Sequence, residues 1–87
     1  MARYDLIVKP SVAKDLRGIP RADVRRILEC MEALRDDPRP PGAEKLSAQE
    51  RYRIRQGNYR ILYTVADAAL TVEIVKVGHR RDVYREP

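Results

Sequence analysis

The stretch from residue 52 to residue 77 constrains the fold more than any other part of the chain, because its apolar residues recur at every second position. A period of two belongs to a strand that buries one face and exposes the other. Residues 52–56, 59–65 and 70–77 are rich in β-branched and aromatic side chains, and they are separated by Gly57-Asn58 and by residues 66–69. Glycine and asparagine tolerate the left-handed backbone of tight hairpin turns, so two successive hairpins are predicted. A two-residue turn at Gly57-Asn58 sets Gln56 opposite Tyr59, Arg55 opposite Arg60, Ile54 opposite Ile61 and Tyr52 opposite Tyr63. A four-residue second turn then sets Val65 against Leu70, Tyr63 against Val72 and Ile61 against Ile74. The large apolar side chains thereby share one face.

Upstream, the period changes. Residues 4–8 form a first apolar strand that ends at Pro10, and Ser11 is a suitable N-cap for a short helix through Leu16 that Gly18 closes. Pro20 occupies a first helical position. Val24, Ile27, Leu28, Met31 and Leu34 follow at helical spacing, with Arg25, Arg26, Glu29 and Glu32 off that face, until Pro38 stops the helix. The loop beyond it is irregular to about Tyr52. The predicted architecture is α+β: an N-terminal strand, a two-helix hairpin, then three to four antiparallel strands, with the helices packed on one sheet face.

With 87 residues the chain makes one domain spanning residues 1–87, and with neither Phe nor Trp its core must come from Ile, Leu, Val and the five Tyr. The formal net charge of +5 points to an anionic partner, nucleic acid, acidic protein or lipid surface. No apolar run approaches a membrane span and the N-terminus lacks a signal-peptide core, so the chain reads as cytoplasmic and no membrane partner is expected. The single cysteine, Cys30, lies among Ile27, Leu28, Met31 and Leu34, and reads as a small core hydrophobe. Two-histidine ribonuclease chemistry is excluded by the lone His79, and Asp67, Glu73 and Asp82 are too scattered to suggest a metal site.

The register gives the charge a location. Opposite the apolar face the hairpin carries Arg53, Arg55 and Arg60, with Arg55 and Arg60 directly opposed. Like charges placed so cost a few tenths to about 1 kcal/mol. No acid lies between Glu50 and Asp67 to neutralise them locally. A phosphate on that face would repay the repulsion. The alternative is a solvated face on which the arginine stems cover apolar surface.

The run Tyr52-Arg-Ile-Arg-Gln-Gly-Asn-Tyr-Arg-Ile-Leu-Tyr-Thr-Val65, followed by Val75-Lys-Val-Gly-His-Arg-Arg-Asp-Val-Tyr84, resembles the RelE/ParE superfamily of bacterial toxins. The likeness extends to the N-terminal strand and helical hairpin, and to Lys45-Leu46 ahead of the basic hairpin. It implies the toxin of a type II toxin–antitoxin system, on the RelE-like side a nuclease that enters the A site of the 70S ribosome and cuts the mRNA codon. A cognate antitoxin, bound in a hetero-oligomer, would hold it inactive. In that family basic residues on the hairpin strands, an Arg on the following strand, an Arg after the VGxR turn and a C-terminal Tyr surround the scissile phosphate. Those positions fall here on Arg53, Arg55, Arg60, Arg80 and Tyr84, and Arg51, Lys76, Arg81 and Arg85 would add contacts to RNA. The same fold also carries ParE-like poisons of DNA gyrase and noncatalytic relatives that dock RNA or antitoxin.

The implied reaction is attack of a ribose 2′-OH on the adjacent phosphorus, and it calls for no metal or cofactor. Tyr84 is the candidate base, its phenol brought below the usual value of about 10 by neighbouring Arg80, Arg81 and Arg85. Arg60 and Arg80 would neutralise the developing charge through planar, bidentate contacts. Where the best-known members carry Lys on the hairpin this chain has Arg53 and Arg55, and a guanidinium is a poor proton donor. His79 is therefore a candidate general acid.

Overall fold

The computed structural model describes residues 3–46 and 51–79. Five strands and two helices follow in the order β1 (Asp5–Val8), α1 (Pro10–Arg17), α2 (Arg21–Ala33), β2 (Glu44–Lys45), β3 (Arg51–Gln56), β4 (Tyr59–Ala66) and β5 (Thr71–His79). They form one mixed sheet in the order β1-β5-β4-β3-β2. β1 runs parallel to β5, with Leu6 beside Val72 and Val8 beside Ile74, because the helical hairpin returns the chain to the same end of the sheet. The other neighbours are antiparallel. The expected α+β architecture is present.

Helix α1 begins two residues before the expected place and α2 one residue after it. Pro10 takes the first helical position, where its missing N–H forfeits no bond, so Lys9 is the N-cap and Ser11 lies inside α1. Pro20 is itself the N-cap of α2, and its carbonyl accepts the amides of Asp23 and Val24 at 2.9 and 3.0 Å. Ile27, Met31 and Leu34 then join Val12 of α1 and the inward side chains of β3, β4 and β5 in one core. Cys30 is partly buried against it, and burial pushes its thiol above the ordinary range. No helix among the described residues is long and apolar enough to cross a membrane.

The first hairpin has the expected register, Gln56 with Tyr59, Arg55 with Arg60, Ile54 with Ile61 and Tyr52 with Tyr63. Gly57 has φ of 61°, the left-handed first position that a type II′ turn demands. The second hairpin differs from expectation. Its turn occupies residues 67–70, Ala66 pairs with Thr71, and Leu70 leaves the strand with φ of 48°. Val65 therefore meets Val72, and Tyr63 meets Ile74. A register shift between Leu62 and Tyr63 then brings Ile61 opposite Val77. Val75 is the extra residue of that bulge, and it turns Val77 inward and Lys76 outward. Strand β2 was not expected at all, since two residues carry no periodicity.

A polar network fastens the loop after α2 to the sheet. The Tyr63 hydroxyl donates to the Pro38 carbonyl at 2.7 Å. Arg39 donates through Nε to the Tyr52 hydroxyl at 2.8 Å, and through both terminal nitrogens to Asp67 at 3.1 and 2.9 Å. Tyr4 adds a 2.7 Å hydrogen bond to the same carboxylate. Arg39 and Tyr4 together hold the Asp67 carboxyl below its usual range, and burial raises the Tyr63 hydroxyl well above that of a solvated tyrosine.

Candidate RNA-binding face

The sheet has one face toward the helices and one open face, and strand alternation decides which side chains stand on each. With Tyr52, Ile54, Ile61, Tyr63 and Val65 inward, Arg51, Arg53, Arg55, Arg60, Leu62 and Thr64 stand on the open face. Pairing arranges them in rows across the sheet. The first row is Arg55, Arg60 and Gly78; the second is Glu44, Arg53, Leu62 and Lys76; the third is Arg51, Thr64 and Glu73. Positive charge is concentrated toward the Gly57-Asn58 end.

The arginines of this face differ in their environments. Arg60 is only 8% exposed, a depth at which a cation is held by its neighbours, and it does interact with them. Arg55 is exposed directly across from it, and Arg51 is exposed beside Thr64. Neither Arg51 nor Arg55 has an ion-pair partner among the described residues. Arg53 departs from expectation. Its guanidinium lies 2.6 Å from the Glu44 carboxylate, with the Arg53 side chain only 11% exposed. Glu44, six residues before Glu50, thus supplies the local neutralisation that Arg53 lacks on its own hairpin, because β2 lays Glu44 in register with Arg53. Arg53 is held in place by Glu44 and Arg60 is sunk among its neighbours, whereas Arg51 and Arg55 are exposed on that face.

Lys76 and His79 complete the described part of the predicted set. Lys76 stands on the open face beside Leu62 and reaches Asp15 of α1 at 3.5 Å. His79 pairs with Tyr59, their rings edge to face with centroids 5.8 Å apart. Alternation puts both rings on the helix-facing side, opposite to Arg60, so His79 reaches the phosphate side only around the end of β5. Arg80, Arg81, Tyr84 and Arg85 lie outside the described residues. No group of three or more metal-ligating side chains occurs among the described residues.

Sequence reasoning missed Asp15. Beyond Ile74 strand β5 has no β1 partner, and Asp15 fills that gap, accepting the Val77 amide at 3.1 Å on Oδ2 while Oδ1 meets Lys76. Such a contact joins residues 62 apart in sequence. The nearest signal in the chain is an acid one residue before the last apolar position of a short helix.

Fold and face together define a small α+β protein with a two-helix layer over a mixed sheet whose free side is arginine-lined. The chain belongs to the RelE/ParE superfamily of toxins: the family described as ParE toxin of type II toxin-antitoxin system, parDE, matches residues 6–84. The chain is also similar to the toxin in the RelBE2 toxin–antitoxin complex of Mycobacterium tuberculosis, at 27% identity and TM-score 0.80 over 94% of this chain and 97% of that one. A comparable likeness, 28% identity and TM-score 0.79 over 90% and 96% of the two chains, holds for the RelE–RelB complex of Pyrococcus horikoshii. Toxin RelG of Mycobacterium tuberculosis is 52% identical over 31 residues, which is 36% of each chain.

Proposed function

We propose that this toxin is a ribosome-dependent mRNA endoribonuclease that cuts A-site codons and thereby stops translation. The observation that carries the reading is the opposed pair Arg55 and Arg60 on the open face, with Arg60 sunk into the sheet and Arg55 unpaired among the described residues. Two planar guanidiniums set side by side across the hairpin suit the oxygens of a phosphodiester. In the proposed reaction the ribose 2′-oxygen attacks the adjacent phosphorus as Tyr84 removes its proton. The bond to the 5′-oxygen breaks, that oxygen takes up a proton, and a 2′,3′-cyclic phosphate remains. Arg60 and Arg80 stabilise the charge on the pentacoordinate phosphorus, the contribution that usually weighs most in such catalysis.

RelB antitoxins accompany the toxins in both solved complexes named above. The proposed partner of this chain in its resting hetero-oligomer is likewise an antitoxin, one with an acidic segment that covers the arginine face. Primer-extension mapping in a purified translation system tests the function. Breaks within A-site codons that require ribosomes support it, and intact mRNA with folded toxin overturns it. The family description, which names ParE, favours a second reading as a gyrase poison. Inhibition of gyrase supercoiling by toxin that leaves mRNA whole would establish that reading instead.

A further inference from the structure

We infer that Glu44 is a latch on the open face: its carboxylate occupies Arg53 in the free toxin and yields that guanidinium to a phosphate of the RNA. The assignment rests on the nuclease reading above. The Glu44 carboxylate lies 2.6 Å from Arg53 Nη2, with 58% of the Glu44 side chain exposed and 11% of that of Arg53. The guanidinium is thus approached from the solvent side, and an anion already sits on it. A phosphate oxygen accepts from the same N–H groups as a carboxylate oxygen, so the two compete for one place.

The position of Arg53 gives that competition a consequence. Arg53 and Arg55 stand two residues apart on β3, about 6.8 Å along the strand, and point to the same side of the sheet. Successive phosphates of a nucleotide chain are separated by a similar distance. RNA that sets one phosphate against the exposed Arg55 therefore brings its neighbour toward Arg53, where it meets Glu44. If the carboxylate stays it repels the phosphate, and if it leaves its ion pair is broken. Either way Glu44 weakens the hold on loose RNA, while RNA fixed against the face by other contacts offsets that cost.

The backbone around Glu44 is fastened, so the latch turns on its side chain alone. β2 is the outermost strand, and its register with β3 sets Glu44 against Arg53 and Lys45 against Tyr52. The Leu46 amide donates to the Arg51 carbonyl at 2.9 Å, and the Ala43 amide to the Pro40 carbonyl at 3.0 Å. Upstream, Arg39 ties the same loop to Asp67. An exposed side chain changes rotamer within nanoseconds, far faster than RNA binds and leaves. Exchange of carboxylate for phosphate also keeps the largely buried guanidinium neutralised before and after, which plain removal of Glu44 does not.

Binding of a 2′-O-methylated uridine hexamer, which cannot be cut through its 2′-oxygens, tests the latch by fluorescence anisotropy with the isolated toxin. Glu44→Gln is expected to bind the hexamer on the order of fivefold more tightly than wild type, the scale of one well-placed ion pair. Glu73→Gln is the control. It removes the same charge from the same face, beside Thr64, where no ion pair is broken among the described residues, and its gain is expected to be much smaller. In an Arg53→Gln background Glu44→Gln is expected to give no gain, the signature of a shared contact in a double-mutant cycle. The Arg53 Nε–Hε resonance of wild type should shift as hexamer is added, a readout that depends on no variant. No gain in Glu44→Gln, an equal gain in Glu73→Gln, a gain that persists without Arg53, or an unmoved Arg53 resonance would overturn the latch. An Arg53-dependent gain for a polyglutamate peptide but not for RNA would do so too, making the pair a protein contact. The full pattern in a toxin that cuts no mRNA would uphold the latch and remove the nuclease reading, and ribosome-dependent cutting without the pattern would do the reverse.

Discussion

Replacing Arg55 by threonine is expected to stabilise the fold while impairing its action on RNA. Arg55 and Arg60 occupy the second pair from the turn, a non-hydrogen-bonded position at which the two Cα atoms of antiparallel strands stand about 4.5 Å apart. Like charges directly opposed on adjacent strands repel by a few tenths to about 1 kcal/mol, and more strongly where one is sunk into the sheet, as Arg60 is. Removing one should therefore gain about 0.5 to 1 kcal/mol, or roughly 2 to 8 °C in melting temperature for a domain of this size. Thermal unfolding followed by circular dichroism at about 0.01 M and 1 M salt separates charge from packing, since the screening length falls from about 30 Å to 3 Å. The gain should be largest at low salt. Arg51→Thr is the control, because Arg51 faces Thr64 and no like charge. A loss of stability in Arg55→Thr, a gain independent of salt, or an equal gain in the control would refute the reasoning.

Glu44→Gln should cost about 1 kcal/mol in urea unfolding, since it leaves the largely buried Arg53 guanidinium without its 2.6 Å partner. Tyr63→Phe should cost about 1 to 2 kcal/mol in the same measurement, because the buried Pro38 carbonyl loses its donor. That variant should also lose part of the alkaline sensitivity of the wild type. The raised Tyr63 pKa means a stabilising contribution that is complete below the unfolded value of about 10 and lost as pH rises beyond it. Asp67 works in the opposite sense. Its lowered pKa contributes stability above the unfolded carboxyl value and loses it as pH falls below about 4, so acid titration of Asp67→Asn should show a shallower decline than wild type.

The first hairpin was readable to the residue because Gly57-Asn58 left little choice of turn, and with it came the opposition of Arg55 to Arg60. The second was misplaced by two residues because nothing in its composition shows that Leu70 takes a left-handed backbone. A shift of two preserves the face of every side chain, which is why Val72 and Ile74 were still assigned to the core although their partners were wrong. The bulge at Val75 restores the inward direction of Val77, a device that alternation alone cannot reveal. Contacts made across the fold were invisible for a simpler reason. Glu44 meets Arg53, and Asp15 meets Val77, only once β2 and α1 are laid against the sheet. The site's charge was therefore legible, while the acid that holds Arg53 and the one that meets Lys76 were not.

The central claim, that the open arginine face carries RNA cleavage through the 2′-hydroxyl, is tested most directly by single-turnover cleavage on programmed ribosomes. The mRNA should carry either ribose or 2′-deoxyribose at the A-site nucleotide before the break, with wild-type and Arg60→Ala toxin compared. Wild type is expected to cut only the ribose message, leaving a 2′,3′-cyclic phosphate and a 5′-hydroxyl, and Arg60→Ala to be slower by on the order of a hundredfold. Cleavage of the 2′-deoxy message, or undiminished cutting by Arg60→Ala, would contradict it.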